Sequence, residues 1–175
     1  NRASLLAMKH PIDFQQRPYQ ELSIEPASQD LILSHALLEW LAQPELLFEA
    51  ISKWLKPGGL VSLSFYNPAA KEYRNLIRGN FDWLQRQSNY RSDSGSLTPN
   101  NPCTYEQVTG WSESVGLEVV RSSGIRVFSD YIVEKRGGLT DEDSVFEREI
   151  RYADREPFKW LGRYIHVLLK RHQTE

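Results

Sequence analysis

The sequence predicts an α/β domain built on a mostly parallel sheet, and three observations carry that expectation. "DLILS" (30–34) and "LVSLSFYN" (60–67) are apolar runs of strand length. Between them the period turns helical: Leu47, Phe48, Ile51, Trp54 and Leu55 share one face, Glu45, Glu49 and Lys53 recur every four residues on the other, and Pro44 sits in the first turn. "KPGG" (56–59) then ends the helix, so strand, helix, turn and strand make a right-handed βαβ unit.

The remaining elements follow in order. "RASLLAMK" (2–9) is helix-like, and "IDFQQRPYQ" (12–20) reads as a short strand running into a loop. "DLILS" is apolar on both faces, as a buried central strand is. "AAKEYRNLIR" (69–78) reads as a helix, and the polar, turn-rich "SNYRSDSGSLTPNNP" (88–102) as a mobile surface segment. Thr104 and Gln107 predict a capping box for a helix through Val115, with Gly116 as its stop. "LEVVRSSGIRVF" (117–128) reads as a strand with an irregular middle at Ser122 to Gly124. Thr140 and Asp143 are candidate caps for a helix ending before Pro157, and "RYIHVLLK" (163–170) alternates and closes the sheet.

Composition limits the function classes. A chain of 175 residues, 40% hydrophobic and 25% charged, is that of one soluble globular domain. Its net charge of -2 supplies no global basic field, so any nucleic-acid contact needs a local patch. The single cysteine, Cys103, excludes an internal disulfide and fits a reducing compartment. No apolar run approaches the roughly 20 residues of a membrane span, and no signal peptide is visible, so the expected setting is cytoplasmic with no membrane partner. The four histidines (His10, His35, His166, His172) and Cys103 show no metal-ligand spacing, and no GxSxG elbow supports a hydrolase.

Four stretches then carry a resemblance: "DLILSHALLEWLAQP", "PGGLVSLSFYN" with "GNFDW", "GIRVFSDY" and "GRYIHV". Together they resemble the bacterial tRNA 5-carboxymethoxyuridine methyltransferases, which belong to the class I S-adenosylmethionine-dependent methyltransferases. The resemblance implies a Rossmann-like class I fold, a mostly parallel sheet with a final antiparallel strand. Residues 1–175 would form the C-terminal two-thirds of one methyltransferase domain, with inserted substrate-side segments at about 68–103 and 129–160. The glycine-rich loop and ribose-binding acid of the family have no counterpart here, and the chain begins with Asn1; by this comparison roughly the first third of the protein lies outside the chain.

The cofactor implied is S-adenosyl-L-methionine. The family segment that contacts adenine matches Tyr19 and Gln20, with Glu21 as neighbour, and His35 matches the histidine that follows the next strand. A histidine ending an apolar strand is by itself more often structural. At the carboxyl edge of a parallel sheet, however, polar residues face the ligand crevice.

The reaction implied is methylation of the carboxylate of 5-carboxymethoxyuridine at the tRNA wobble position, giving the methyl ester. A carboxylate is already ionised near pH 7, so no general base is needed, and an arginine fork suits the grip. Arg126 and Arg163 are the candidates for that fork, each with the plain alternative of a solvated residue or a partner for an acid such as Asp130. Tyr66 and Asn67 fall where the family's acceptor pocket opens; Tyr66 has the alternative of a strand-end aromatic covering the core. His166 is expected to be a packed structural residue. For the anticodon loop of tRNA, Arg74, Arg78, Arg86 and Arg91 would grip phosphates and Tyr73, Phe81, Trp83 or Tyr90 would stack on bases. The competing readings are a class I methyltransferase of a small molecule and a non-catalytic binding domain of the same fold.

Overall fold

The computed structural model describes residues 12–82, 99, 101–132 and 141–173. The helix-like 2–9, most of 88–102, Trp83, Arg86, Tyr90, Arg91 and Thr140 lie outside the described residues.

Four strands form one sheet: β1 (Gln29–His35), β2 (Leu55–Tyr66), β3 (Leu117–Ile125) and β4 (Tyr164–Arg171), in the order β1-β2-β4-β3. β1 pairs with β2 in parallel, while β4 lies antiparallel between β2 and β3. Three strands therefore run one way and the last runs against them, as the resemblance implies. α1 (Glu45–Trp54) connects β1 to β2, α2 (Pro68–Ile77) follows β2, α3 (Tyr105–Ser114) precedes β3, and α4 (Glu142–Tyr152) leads toward β4.

Local chemistry accounts for the helix ends. Asn67 Oδ1 accepts the Ala69 N–H at 3.1 Å with Pro68 at the first helical position of α2. Thr104 and Gln107 close both bonds of the capping box on α3. Gly116 takes φ +77° at that helix's end, where a side chain would be strained. α4 is capped by Asp141, which accepts the Ser144 N–H at 2.7 Å, and not by Asp143, which lies inside the helix.

One face of the sheet is the core. Val61, Leu63 and Phe65 of β2 and Ile165, Val167 and Leu169 of β4 pack with Leu47, Phe48 and Ile51 of α1 and Val108 of α3. At about 1.5–3 kcal/mol for each such buried side chain, this layer dominates the stability. On the other face Leu31 and Leu33 are 53% and 65% exposed. β1 thus lies at the edge of the described sheet with a single buried face, where the sequence predicts burial on both. Ser62 on the second face bonds to the side chains of His35 and His166, while Ser64 and Tyr66 farther along the same face are buried.

Three other expectations change. Residues 12–18 form no strand, since they meet no partner strand among the described residues, and Tyr19–Glu21 make a single 3-10 turn. "KPGG" is no turn outside the strand: β2 starts at Leu55 and carries these residues as a bulge, its partners jumping from Gln29↔Leu55 to Leu31↔Leu60. The irregularity in β3 falls between Val119 and Arg121, before Ser122.

Candidate functional site

The carboxyl edge of the parallel pair gathers the site. β1 ends at Ser34 and His35, β2 ends at Tyr66, and Asn67 caps α2 directly afterwards. Asn67 Nδ2 donates to the carbonyls of Trp160 (2.8 Å) and Gly162 (2.9 Å), tying this edge to the segment before β4. Two buried polar atoms here, Ser34 Oγ and Glu39 Oε2, have no hydrogen-bond partner among the described residues. Buried polar groups are nearly always satisfied, so orphaned atoms at a strand's carboxyl edge fit a site that receives a polar ligand. Burial also pushes the Glu39 carboxyl above its usual pKa, partly offset by bonds from its own N–H and that of Tyr66.

His35 is exposed, and its Nε2 lies 2.8 Å from Ser62 Oγ, which is also 2.8 Å from His166 Nε2. A hydroxyl donates only one hydrogen, so one imidazole accepts from Ser62 while the other donates to it. Burial, His35 and Arg121 hold the His166 pKa below its ordinary value. His166 is therefore packed, as the sequence suggests, but it is also joined to His35, a link that residues 131 positions apart do not reveal.

Tyr19 packs against the core and Gln20 is exposed. Burial and the nearby Glu45 and Glu49 raise the Tyr19 phenol pKa, which puts the ring beside the first turns of α1. Because α1 begins just past the carboxyl edge of β1, the 19–21 turn stands on the site's side of the sheet.

The strongest electrostatic feature is Asp130. Its side chain is 6% exposed and receives Arg163 Nη1 at 3.4 Å, Arg74 Nη1 at 3.7 Å and Arg126 Nη2 in a closer contact. The arginines come from α2, the loop after β3 and the residue before β4. Arg126 takes φ +58°, the left-handed region, in that loop. The two predicted fork arginines thus meet on one carboxylate, the alternative that the sequence left open, and Arg74 joins them there. Three guanidinium groups against one carboxylate leave an excess of two positive charges. Lys71 adds to this crowding: burial and Arg74 lower its pKa.

Tyr66 is 6% exposed and meets Tyr164 edge to face at 5.8 Å. Its ring covers the core edge, yet it also lines a small cleft with Ala70, Lys71, Arg74, Asp130 and Arg163. Burial raises its phenol pKa, so it remains a neutral hydrogen-bonding group there.

Sequence reasoning missed Glu149. Its carboxylate accepts three consecutive backbone N–H groups, from Val127 (2.7 Å), Phe128 (3.1 Å) and Ser129 (2.8 Å). These bonds pin to α4 the loop that carries Arg126 and Asp130. In "EREIRY" nothing distinguishes it from the solvated acids around it.

Among the described residues no group of His, Cys, Asp and Glu could hold a metal, and no helix is long and apolar enough to cross a membrane. Cys103 is buried, which pushes its thiol up to about 11 and keeps it protonated.

Known proteins resemble both the sequence and the fold. A family described as a methyltransferase domain matches residues 1–63. The tRNA 5-carboxymethoxyuridine methyltransferase of Escherichia coli K12 is 38% identical over 146 residues, 83% of this chain and 56% of that protein. The chain thus spans about half the length of the curated relatives it matches. A methyltransferase structure from Thermotoga maritima aligns with TM-score 0.57 at 13% identity, over 97% of this chain and 69% of that one. The cyclase SpnF aligns with TM-score 0.56 at 13% identity, over 98% and 62%. A cyclase on the same fold means that the architecture alone does not decide the reaction. With a tRNA methyltransferase 38% identical over 83% of this chain and a methyltransferase domain matched over residues 1–63, the chain is similar to part of a methyltransferase, and it shares its fold with the methyltransferase structure from Thermotoga maritima.

Proposed function

We propose that this chain serves S-adenosylmethionine-dependent methyl transfer to the carboxylate of 5-carboxymethoxyuridine at the wobble position of tRNA, giving the methyl ester. The observation that carries the reading is the Arg74, Arg126 and Arg163 cluster on Asp130, whose excess positive charge suits an anionic acceptor. S-adenosylmethionine, when bound, supplies an electrophilic methyl group on a sulfonium centre. His35, with the turn at Tyr19 and Gln20, would line its pocket at the carboxyl edge, where Ser34 Oγ and Glu39 Oε2 have no partner among the described residues.

The chain's own residues then have a positioning task. The acceptor acid has a pKa of about 4 and needs no base. Arg126 and Arg163 orient the carboxylate, and correct alignment can contribute about 7–11 kcal/mol. Asp130 competes for the same guanidinium donors, which keeps them from holding the acceptor too tightly in its ground state. Tyr66, neutral and buried beside Arg74 and Arg163, closes the cleft against water. The relative's tRNA substrate and the half-exposed Arg126 favour RNA over a small molecule held in a closed pocket.

The test is methyl transfer by the full-length protein to tRNA bearing 5-carboxymethoxyuridine, with the ester detected by nucleoside mass spectrometry. Ester formation, and its loss by at least a hundredfold in Arg126→Ala, is the expected result. Transfer unaffected by that substitution would remove the arginine assignment, and no transfer to this tRNA would remove the substrate.

A further inference from the structure

Beside the arginine cluster lies a cavity of about 440 Å³, walled by Tyr73, Val127, Phe128, Tyr131, Tyr152 and Phe158, with Arg148 also at its lining. Its size is that of a small-ligand pocket. Tyr131 is a shared wall: it lines both this cavity and the cleft that holds Arg74, Asp130 and Arg163.

The walls are held in place. Glu149 accepts the N–H groups of Val127, Phe128 and Ser129, which fixes one wall to the helix that carries Tyr152. The Tyr131 hydroxyl donates within reach of the carbonyls of Leu161 (3.1 Å) and Ala70 (3.3 Å). The rings brace one another edge to face: Tyr73 on Tyr131 at 5.6 Å, Phe128 on Tyr152 at 6.3 Å and Tyr152 on Phe158 at 5.0 Å. Arg155 stands over Tyr152 at 4.8 Å. The cavity still opens to solvent, since Tyr73 and Phe158 are 40% and 38% exposed.

We propose that this cavity receives an unstacked pyrimidine base of single-stranded RNA, leaving the base's acidic substituent to reach the arginine cluster across Tyr131. The inference rests on the RNA reading above and deepens it by assigning the base site. Three features select this occupant. Aromatic walls suit a flat ring, the net positive cluster next door suits an anionic substituent, and Arg148 and Arg155 at the margin suit the flanking phosphates. A purely apolar guest would leave the adjoining excess charge without a counterpart.

The test uses the full-length protein and an anticodon stem-loop with 4-thiouridine at the wobble position, irradiated and mapped by mass spectrometry. The expected crosslinks fall on the cavity residues, above all Tyr152 or Phe158. Phe158→Leu, which keeps apolar bulk but removes the ring face, should cut the crosslink yield about tenfold, the loss of one base-stacking contact. Thermal melting of the same variant verifies folding, and Phe128→Leu provides an independent wall. Crosslinks that map elsewhere, or a yield indifferent to both leucine variants, would overturn the proposal. Because crosslinking needs no methyl transfer, it reads the base site even if the esterification assay fails.

Discussion

Arg163 meets Asp130 at 3.4 Å across a carboxylate that is only 6% exposed, and Arg74 and Arg126 meet the same group. Among the described residues, Asp130 is therefore the one carboxylate that pairs with these three cations. Asp130→Asn would leave them crowded without compensation, and removing one member of a buried pair costs about 3–5 kcal/mol. The arginines are partly solvated, so a loss near the lower end, about 3 kcal/mol, is expected in urea denaturation. Added salt should recover part of it by screening the repulsion.

Glu149 should matter for the same loop through geometry instead of charge balance. Glu149→Ala leaves three backbone N–H groups without their acceptor. A hydrogen bond to a charged group is worth about 1.5–3 kcal/mol, and the three are not additive, so a total loss of about 2–4 kcal/mol is expected. Glu149→Gln keeps a carbonyl acceptor and should recover part of it. Equal melting temperatures for the two variants would contradict this role.

The His35, Ser62 and His166 chain predicts a pH dependence with a definite sign. The His166 pKa is held below its ordinary value of 6.5 by burial, His35 and Arg121. On acidification the unfolded chain takes up the proton before the folded one. Stability from this group is thus full above pH 6.5 and falls as pH drops from there through the folded-state value. His166→Asn should flatten that acid limb in melting curves taken between pH 8 and about 5.

Gly124 is a packing requirement. A Cβ there would land on the carbonyl of Lys159 and stand 2.9 Å from Val127 Cγ2. The close approach of β3 to the segment before β4 places Arg126 and Arg163 on one acid, and the Gly124 N–H also bonds to the Ala153 carbonyl at 2.7 Å. Gly124→Ala should cost at least the roughly 1–3 kcal/mol typical of overpacking. Its effect on the arginine cluster would show as a further loss of acceptor binding.

Much of this architecture is legible in the chain. The apolar runs, the amphipathic 44–55 stretch and the Thr104–Gln107 spacing are local patterns, and they become β1, β2, α1 and a complete capping box. Where a pattern needed a partner, the reading erred. The 12–20 segment has strand-like residues but meets no strand, and "KPGG" bulges within β2 because Leu55 already pairs with Gln29. Arg126, Arg163, Tyr66 and His35 could be singled out from the resemblance, but not what they touch.

The sequence by itself determined the local patterns that became β1, β2, α1 and the capped α3, because periodicity and capping act over a few residues, while the direction of the last strand came from the resemblance. Only the tertiary structure decided that Arg74, Arg126 and Arg163 converge on Asp130, that Ser62 joins His35 to His166, and that Glu149 holds the loop of the site. Those contacts join residues far apart in the chain. Their existence depends on strand order and close packing, which place side chains to a fraction of an ångström that no local pattern encodes.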